Sequence, residues 1–130
     1  MAYAERTQVP VSSTKAEIET LLNRHGATAF GIVQDGLDAS VFFRLQDRMI
    51  RFKVAVPDSA QKARSHWRGL LLVVKAKLEA VASGIVSLED EFLAQTVMGD
   101  GITVSEHIQW QVAENYRVGG PPRLRLGGPS

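Results

Sequence analysis

The topology of this chain is encoded most clearly in residues 39–82, which read ASVFFRLQDRMIRFKVAVPDSAQKARSHWRGLLLVVKAKLEAVA. In the first part of this stretch apolar residues alternate with polar ones, and in the second part they recur at three- and four-residue spacing. The change of period predicts two antiparallel strands followed by one long helix. Pro57 breaks the strand pattern, and Asp58 or Ser59 then offers an N-cap for the helix.

The alternating residues, with the apolar run before them, predict a three-stranded antiparallel meander at residues 28–34, 39–45 and 49–56. A two-residue turn at Asp47-Arg48 makes one face of the second hairpin wholly apolar. The expected cross-strand pairs are Leu45 with Ile50, Phe43 with Phe52, and Val41 with Val54, and the same register places Arg44 opposite Arg51. A slip of one residue would mix apolar and polar side chains on both faces.

Helices are predicted on both sides of the strands. Thr14 with Glu17, and Thr103 with Glu106, have capping-box spacing, and Ser87 with Asp90 marks another helix start. The predicted helices cover about 14–25, 60–82, 87–97 and 104–117. We expect the last helix to turn its apolar side to the interior, with Val104, Ile108, Val112 and Tyr116 or neighbouring Trp110.

These elements predict one α+β domain over residues 13–118, in which the antiparallel meander packs on the long central helix and two C-terminal helices (α-β-β-β-α-α-α). Residues 1–12 are expected to be a flexible N-terminal arm, and residues 119–130 a flexible C-terminal tail. A chain of 130 residues with 45% hydrophobic and 22% charged residues fits one globular core.

The composition excludes several classes of protein. The chain has no cysteine, which removes disulfides, thiolate metal sites and thiol catalysis. The longest strongly apolar run, residues 70–74, is far shorter than the roughly 20 residues of a membrane span. We therefore expect a soluble, cytoplasmic protein with no membrane contact.

Charge is distributed unevenly along the chain. Residues 41–82 hold nine basic and three acidic side chains, a net charge of +6, whereas residues 83–116 hold six acidic and no basic ones, a net charge of −6. This polarity predicts a basic surface for anions and an acidic one for cations or basic proteins. The alternative is that the two segments pair with each other, within one chain or between subunits.

No arrangement of residues indicates catalysis. The three histidines are widely spaced and lack the spacing of metal ligands, and no serine lies in a nucleophile motif. The acidic group of Glu89, Asp90 and Glu91, with Asp100, is what the positive end of a helix favours without any ligand. We therefore predict no enzyme, no metal and no cofactor.

Candidate binding residues form three groups. On the non-core face of the sheet, basic side chains surround an aromatic ring, as on a nucleic-acid platform; these residues are Phe42, Arg44, Arg51 and Lys53. Arg64, Arg68 and Lys75 follow one flank of the long helix and form a candidate phosphate track. Leu72 and Val73 project outside the core stripe of that helix, so they are candidates for a protein interface.

A signature of packing residues and helix caps runs from residue 67 to residue 104. It consists of Trp67-Arg68, LLLVVKAKLEAV at 70–81, Gly84-Ile85, EDEFLA at 89–94, Asp100-Gly101 and Thr103-Val104, with GATAFG at 26–31 as a weaker mark. In these residues the chain resembles a family of small, mostly uncharacterised proteins encoded by bacteriophages and prophages. The resemblance implies the cytoplasm of a bacterial host and a role in replication, recombination or host takeover, and it transfers no site residue.

The function we predict is that of a non-enzymatic, phage-type binding protein that acts on a host or phage protein through its polarised surface or an apolar helix. Homo-oligomerisation is consistent with this prediction, because Leu72 and Val73 need cover. The alternative is nucleic-acid binding in phage replication or recombination. Double-stranded-RNA-binding domains also have the order α-β-β-β-α and place basic residues at the start of their final helix. This chain resembles them in that topology and in having Lys62 and Arg64 near the start of the long helix.

Overall fold

The protein was analysed as a computed structural model, which describes residues 7–127. The predicted α+β class and element order are confirmed, and the sheet is a meander with strand order β1-β2-β3. The elements are α1 (Val11–Arg24), β1 (Thr28–Asp35), β2 (Asp38–Leu45), β3 (Arg48–Ala55), α2 (Ala60–Ala82), α3 (Leu88–Phe92), a 3₁₀ turn (Leu93–Gln95) and α4 (Val104–Gly119).

The long helix lies across one face of the sheet and forms the centre of the core. Its buried residues are Trp67, Leu71, Val74 and Leu78, at the predicted spacing, and Ser59 caps it by accepting a hydrogen bond from the Lys62 amide. The sheet contributes Val41, Phe43, Leu45, Ile50, Phe52 and Val54, and α1 contributes Ile18, Leu21 and Leu22. Burial of such side chains is the main stabilising contribution to the fold, at about 1.5–3 kcal/mol for each large one.

The register of the second hairpin differs from the prediction by two residues. Gln46 and Asp47 form the turn, so Leu45 pairs with Arg48 and Phe43 pairs with Ile50. Both residues keep the predicted face, because a slip of two leaves every side chain on its own side of the sheet. The expected pairing of Arg44 with Arg51 was therefore wrong: the partners of these residues are Met49 and Phe42, respectively.

The first helix begins earlier than the sequence predicted. It starts at Val11, directly after Pro10, so residues 11 and 12 belong to the helix and not to the predicted arm. Pro10 is the N-cap of this helix, and its carbonyl accepts the first helical hydrogen bond, from the Thr14 amide at 3.1 Å, which sets the earlier boundary. Thr14 therefore lies inside the helix, fully buried, and is not its N-cap. Residues 1–6 of the predicted arm lie outside the described residues.

The third predicted helix is also shorter than expected. The α-helix ends at Phe92, and Thr96 and Val97 are extended. Thr96 bridges to Ile50 on the edge of β3, and the Val97 amide donates to the Met49 carbonyl at 2.8 Å. Pairing with a strand edge has replaced helical hydrogen bonds in this segment, since both satisfy the same backbone groups.

The last helix has the predicted capping box at Thr103 and Glu106 but not the predicted burial. None of its residues is buried, and Ile108, Val112 and Tyr116 are 41%, 49% and 57% exposed. The expectation that this face points to the interior was wrong, because α4 packs mainly against the 3₁₀ turn and its later turns extend past the core.

The C-terminal tail begins at residue 120, one residue later than predicted, since α4 includes Gly119. Residues 120–127 are exposed and form neither helix nor strand, and residues 128–130 lie outside the described part. No helix within residues 7–127 combines the length and the apolar character that crossing a membrane requires.

Candidate functional site

The basic residues on the sheet face contact an acidic side chain of the last helix. Arg51 donates to Glu106 at 2.5 Å and to the Gly101 carbonyl at 3.2 Å, and Lys53 donates to the other Glu106 oxygen at 2.5 Å. The hydrogen bond from Lys53 is the main cause that lowers the pKa of Glu106 to about 2. Arg44 is exposed and has no ion pair within residues 7–127. Two of the three predicted sheet cations thus share one carboxylate within the chain.

Phe42, the aromatic residue of that predicted platform, has a packing contact of its own. It pairs with Gly31 across β1 and β2, and its ring lies where a side chain at Gly31 would be. Gly31 leaves room for the ring, which covers the backbone of β1. The ring is therefore half-buried on the sheet and not free on both sides for stacking with a base.

Other charges of the two polarised segments also pair within the chain. Arg48 contacts Glu89 at 3.0 Å, and Lys77 contacts Glu91 at 3.0 Å. The acidic residues of α3 are therefore partly neutralised by β3 and α2. In residues 7–127, no three His, Asp or Glu side chains come together in an arrangement suited to a metal ion.

A groove of about 380 Å³ lies between α1 and α2. The small side chains of Ala16 and Thr20 leave space along α1. Its lining residues are Ala16, Glu17, Thr20, Leu21 and Arg24 of α1 with Arg68, Leu71, Leu72 and Lys75 of α2. We call this feature the α1–α2 groove.

The floor of the α1–α2 groove is apolar and its rim is basic. Leu21 and Leu71 are more than nine-tenths buried, and Leu72 is half-buried beside them. Arg68 is in an ion pair with Glu17, whereas Arg24 and Lys75 are exposed and have no ion pair among the described residues. With three cations and one carboxylate, the groove attracts anionic groups next to an apolar surface.

The structure brings together residues that the sequence had placed in separate groups. Arg68 and Lys75 of the candidate phosphate track line the α1–α2 groove with Leu72 of the candidate protein interface. Arg64 donates instead to Gln61 at 2.7 Å within α2. Val73 is 45% exposed and is not part of the groove lining.

Sequence reasoning missed the contribution of α1 to this groove. The sequence patterns gave no reason to single out Arg24 or Leu21 as site residues. Arg24 lies four residues after Thr20, and Leu21 lies four residues after Glu17, so these residues share one edge of α1. This edge can be recognised as one wall of a groove only when the position of α2 is known, since helical spacing alone does not identify the neighbouring element.

Comparison of the chain with protein-family models, with curated proteins and with solved structures gave no match. The geometry of the α1–α2 groove is therefore the basis on which a function can be argued.

Proposed function

We propose that this protein is a non-enzymatic binding domain whose α1–α2 groove holds an acidic, amphipathic helical segment of a partner protein. The observation that carries the proposal is the apolar floor of Leu21, Leu71 and Leu72 beside the exposed cations Arg24 and Lys75. From the resemblance of the sequence to phage and prophage proteins, we propose a host or phage protein in a bacterial cytoplasm as the partner.

The shape of the groove supports a helical occupant. Grooves between helices accept the ridge of side chains of a third helix, and an amphipathic helix supplies apolar anchors at three- and four-residue spacing. Carboxylates flanking those anchors would face Arg24 and Lys75. Such pairs at the rim contribute mainly to association rate and to the choice of partner, while the apolar anchors contribute most of the affinity.

The ion pairs described above favour a protein partner over nucleic acid. A phosphate track requires several cations that are free to neutralise successive phosphates. Arg51, Lys53 and Arg68 each contact a carboxylate, which phosphates would have to displace. Arg24 and Lys75, by contrast, flank one apolar patch, an arrangement that fits a few carboxylates on one helix better than a nucleic-acid backbone.

A titration with labelled peptides tests the proposal. The probe is a designed helical peptide with leucines on one face and glutamates beside them, and its control has lysines in place of the glutamates. We expect the acidic peptide to bind, the basic one not to bind, and the double variant R24E/K75E to weaken binding by roughly tenfold, the effect of about 1.4 kcal/mol. The matched control is R44E, which reverses an exposed cation outside the groove.

The same titration includes single- and double-stranded DNA and RNA at two salt concentrations. Tight binding that falls steeply with salt would favour the nucleic-acid alternative. If the acidic peptide binds R24E/K75E as well as it binds the unmodified protein, the groove is not its site and the proposal fails.

A further inference from the structure

The last helix carries an apolar face that the described chain leaves uncovered. Val104, Ile108, Val112 and Tyr116 follow one another at four-residue spacing and form a single ridge along α4. At about 100° per residue, the charged side chains of α4 lie on the other side of the helix. These are Glu106, His107, Glu114 and Arg117. The apolar face is therefore uncharged along its length.

The two halves of this face differ in shape. Beside the first half, α4 and the 3₁₀ turn enclose a groove of about 460 Å³, whose apolar lining includes Leu93, Val104 and Ile108. The lining of this groove continues to Val112, whereas Tyr116 lies one turn beyond it and is 57% exposed. The face is thus grooved from Val104 to Val112 and ends in an exposed aromatic ring.

We propose that α4 pairs antiparallel with α4 of a second copy of this chain, around a two-fold axis near Val112. Ile108 and Tyr116 lie four residues on either side of Val112, about 6 Å along the helix in each direction. The two-fold therefore brings Tyr116 of each copy over the groove beside Ile108 of the other copy. The exposed Tyr116 end of one chain fills the groove of its partner, as a self-complementary interface requires.

The charges at the two ends of the face fit this arrangement. The chain after α4 carries Arg123 and Arg125, exposed and without ion pairs within residues 7–127. Asp90 lies on the lining of the concave groove, exposed and likewise without an ion pair in the described residues. In an antiparallel pair, the C-terminal end of α4 in each chain lies beside the acidic α3 of the other chain. Arg123 and Arg125, which follow α4, are therefore close to that acidic helix. Because the central face is uncharged, pairing two copies creates no like-charge repulsion there.

The absence of cysteine from the chain permits a direct test. In the proposed dimer the two Val112 side chains are adjacent across the axis, so V112C should form an intermolecular disulfide under mild oxidation. The control is W110C, because Trp110 is 65% exposed but lies about 160° around the helix from Val112. We expect V112C to cross-link at least tenfold faster than W110C at equal protein concentration. A tenfold ratio corresponds to a free-energy difference of about 1.4 kcal/mol.

Sedimentation velocity on the full chain provides the second measurement. We expect a dimer for the unmodified protein and for W110E, and a folded monomer for V112E, which places two carboxylates together at the axis. The proposal is overturned if the unmodified protein is monomeric, if W110C cross-links as fast as V112C, or if V112E remains dimeric. Because V112E leaves the α1–α2 groove intact, peptide binding by this variant is measured separately, and the two proposals can fail independently.

Discussion

At the scale of single residues, two threonines with the same sequence context have opposite roles. Thr14 and Thr103 are each followed three residues later by glutamate, and both are buried. The hydroxyl of Thr103 accepts a hydrogen bond from the Glu106 amide at 3.2 Å and completes a capping box. The hydroxyl of Thr14 is buried and has no hydrogen-bond partner among residues 7–127, because its helix begins at Val11. The motif alone does not distinguish the two.

The same substitution should therefore have opposite effects at these positions. Valine has nearly the shape of threonine without the hydroxyl, so T14V removes an unpaired buried group and should raise the free energy of unfolding by about 1 kcal/mol. T103V removes a helix cap and should lower it by about 1 kcal/mol. Urea denaturation of the two variants beside the unmodified protein measures both changes.

A decrease in stability for T14V would mean that its hydroxyl has a partner in the folded chain. Ser87 was predicted as a cap, and Ser59 was one of two predicted candidates beside Asp58; both serines accept hydrogen bonds, from the amides of Asp90 and Lys62, respectively. Caps of this kind depend on a few neighbouring residues, which is why local sequence was sufficient for them.

At the scale of elements, the sequence predicted the strands and their faces but not their alignment. The alternation of apolar residues determines which side of the sheet each side chain occupies, and a two-residue slip conserves it. The observed alignment of β2 with β3 depends on the turn at Gln46, which has a φ of 54°. Residues other than glycine rarely adopt such a φ, so the composition of this turn did not reveal its position.

The contact between Gly31 and Phe42 should be measurable as a coupling between β1 and β2. G31A places a methyl group where the Phe42 ring lies, so it should destabilise the protein. In a protein that already carries F42A, the same change meets open space and should be neutral or stabilising. We expect a coupling of at least about 0.5 kcal/mol in a double-mutant cycle of unfolding free energies.

Additive effects of the two changes would contradict this contact. The matched control is G69A, since a side chain at Gly69 on α2 would meet nothing within 4 Å. This substitution should be neutral or stabilising whether Phe42 or alanine is present at position 42.

The last helix shows a further limit of sequence patterns at this scale. Its apolar stripe was predicted correctly, but a stripe indicates only that a surface favours burial, and not which surface covers it. The sequence therefore supported an interior helix as well as an exposed one. For the same reason, the α1–α2 groove became visible only when two helix edges were seen together.

At the scale of the whole molecule, oppositely charged segments hold the C-terminal third against the sheet. Glu106 at the start of α4 contacts Arg51 and Lys53, and Glu89 and Glu91 of α3 contact Arg48 and Lys77. The sequence left open whether the basic and acidic segments form separate surfaces or pair with each other. Pairing inside the chain accounts for these four contacts at β3 and α2, while Arg24 and Lys75 remain exposed.

This attachment should weaken in acid. The folded pKa of Glu106 is about 2, below the ordinary value of 4.5, so its carboxylate stabilises the folded state above about pH 4.5. That stabilisation should disappear as the pH falls from 4.5 towards 2. We expect E106Q to be less stable than the unmodified protein at pH 7, with the difference shrinking over this range, as measured by urea denaturation at several pH values.

The matched control is E114Q, on the exposed part of α4, where the carboxylate pairs with Arg117 of the same helix and with no other cation of residues 7–127. Exposed pairs within one helix contribute little, so this variant should follow the unmodified protein at every pH. If E106Q and E114Q respond identically to acid, the contacts of Glu106 do not hold α4 in place.

The two tryptophans of the chain lie in opposite surroundings, and this gives the molecule two separate optical signals. Trp67 is 1% exposed in the core, with the Lys15 ammonium 4.8 Å from its ring centre, whereas Trp110 is 65% exposed on α4. We therefore expect emission from Trp67 to be blue-shifted and shielded from acrylamide, and emission from Trp110 to be red-shifted and readily quenched. In W110F the remaining tryptophan, Trp67, reports the melting of the core. In W67F the remaining tryptophan, Trp110, reports the environment of the last helix.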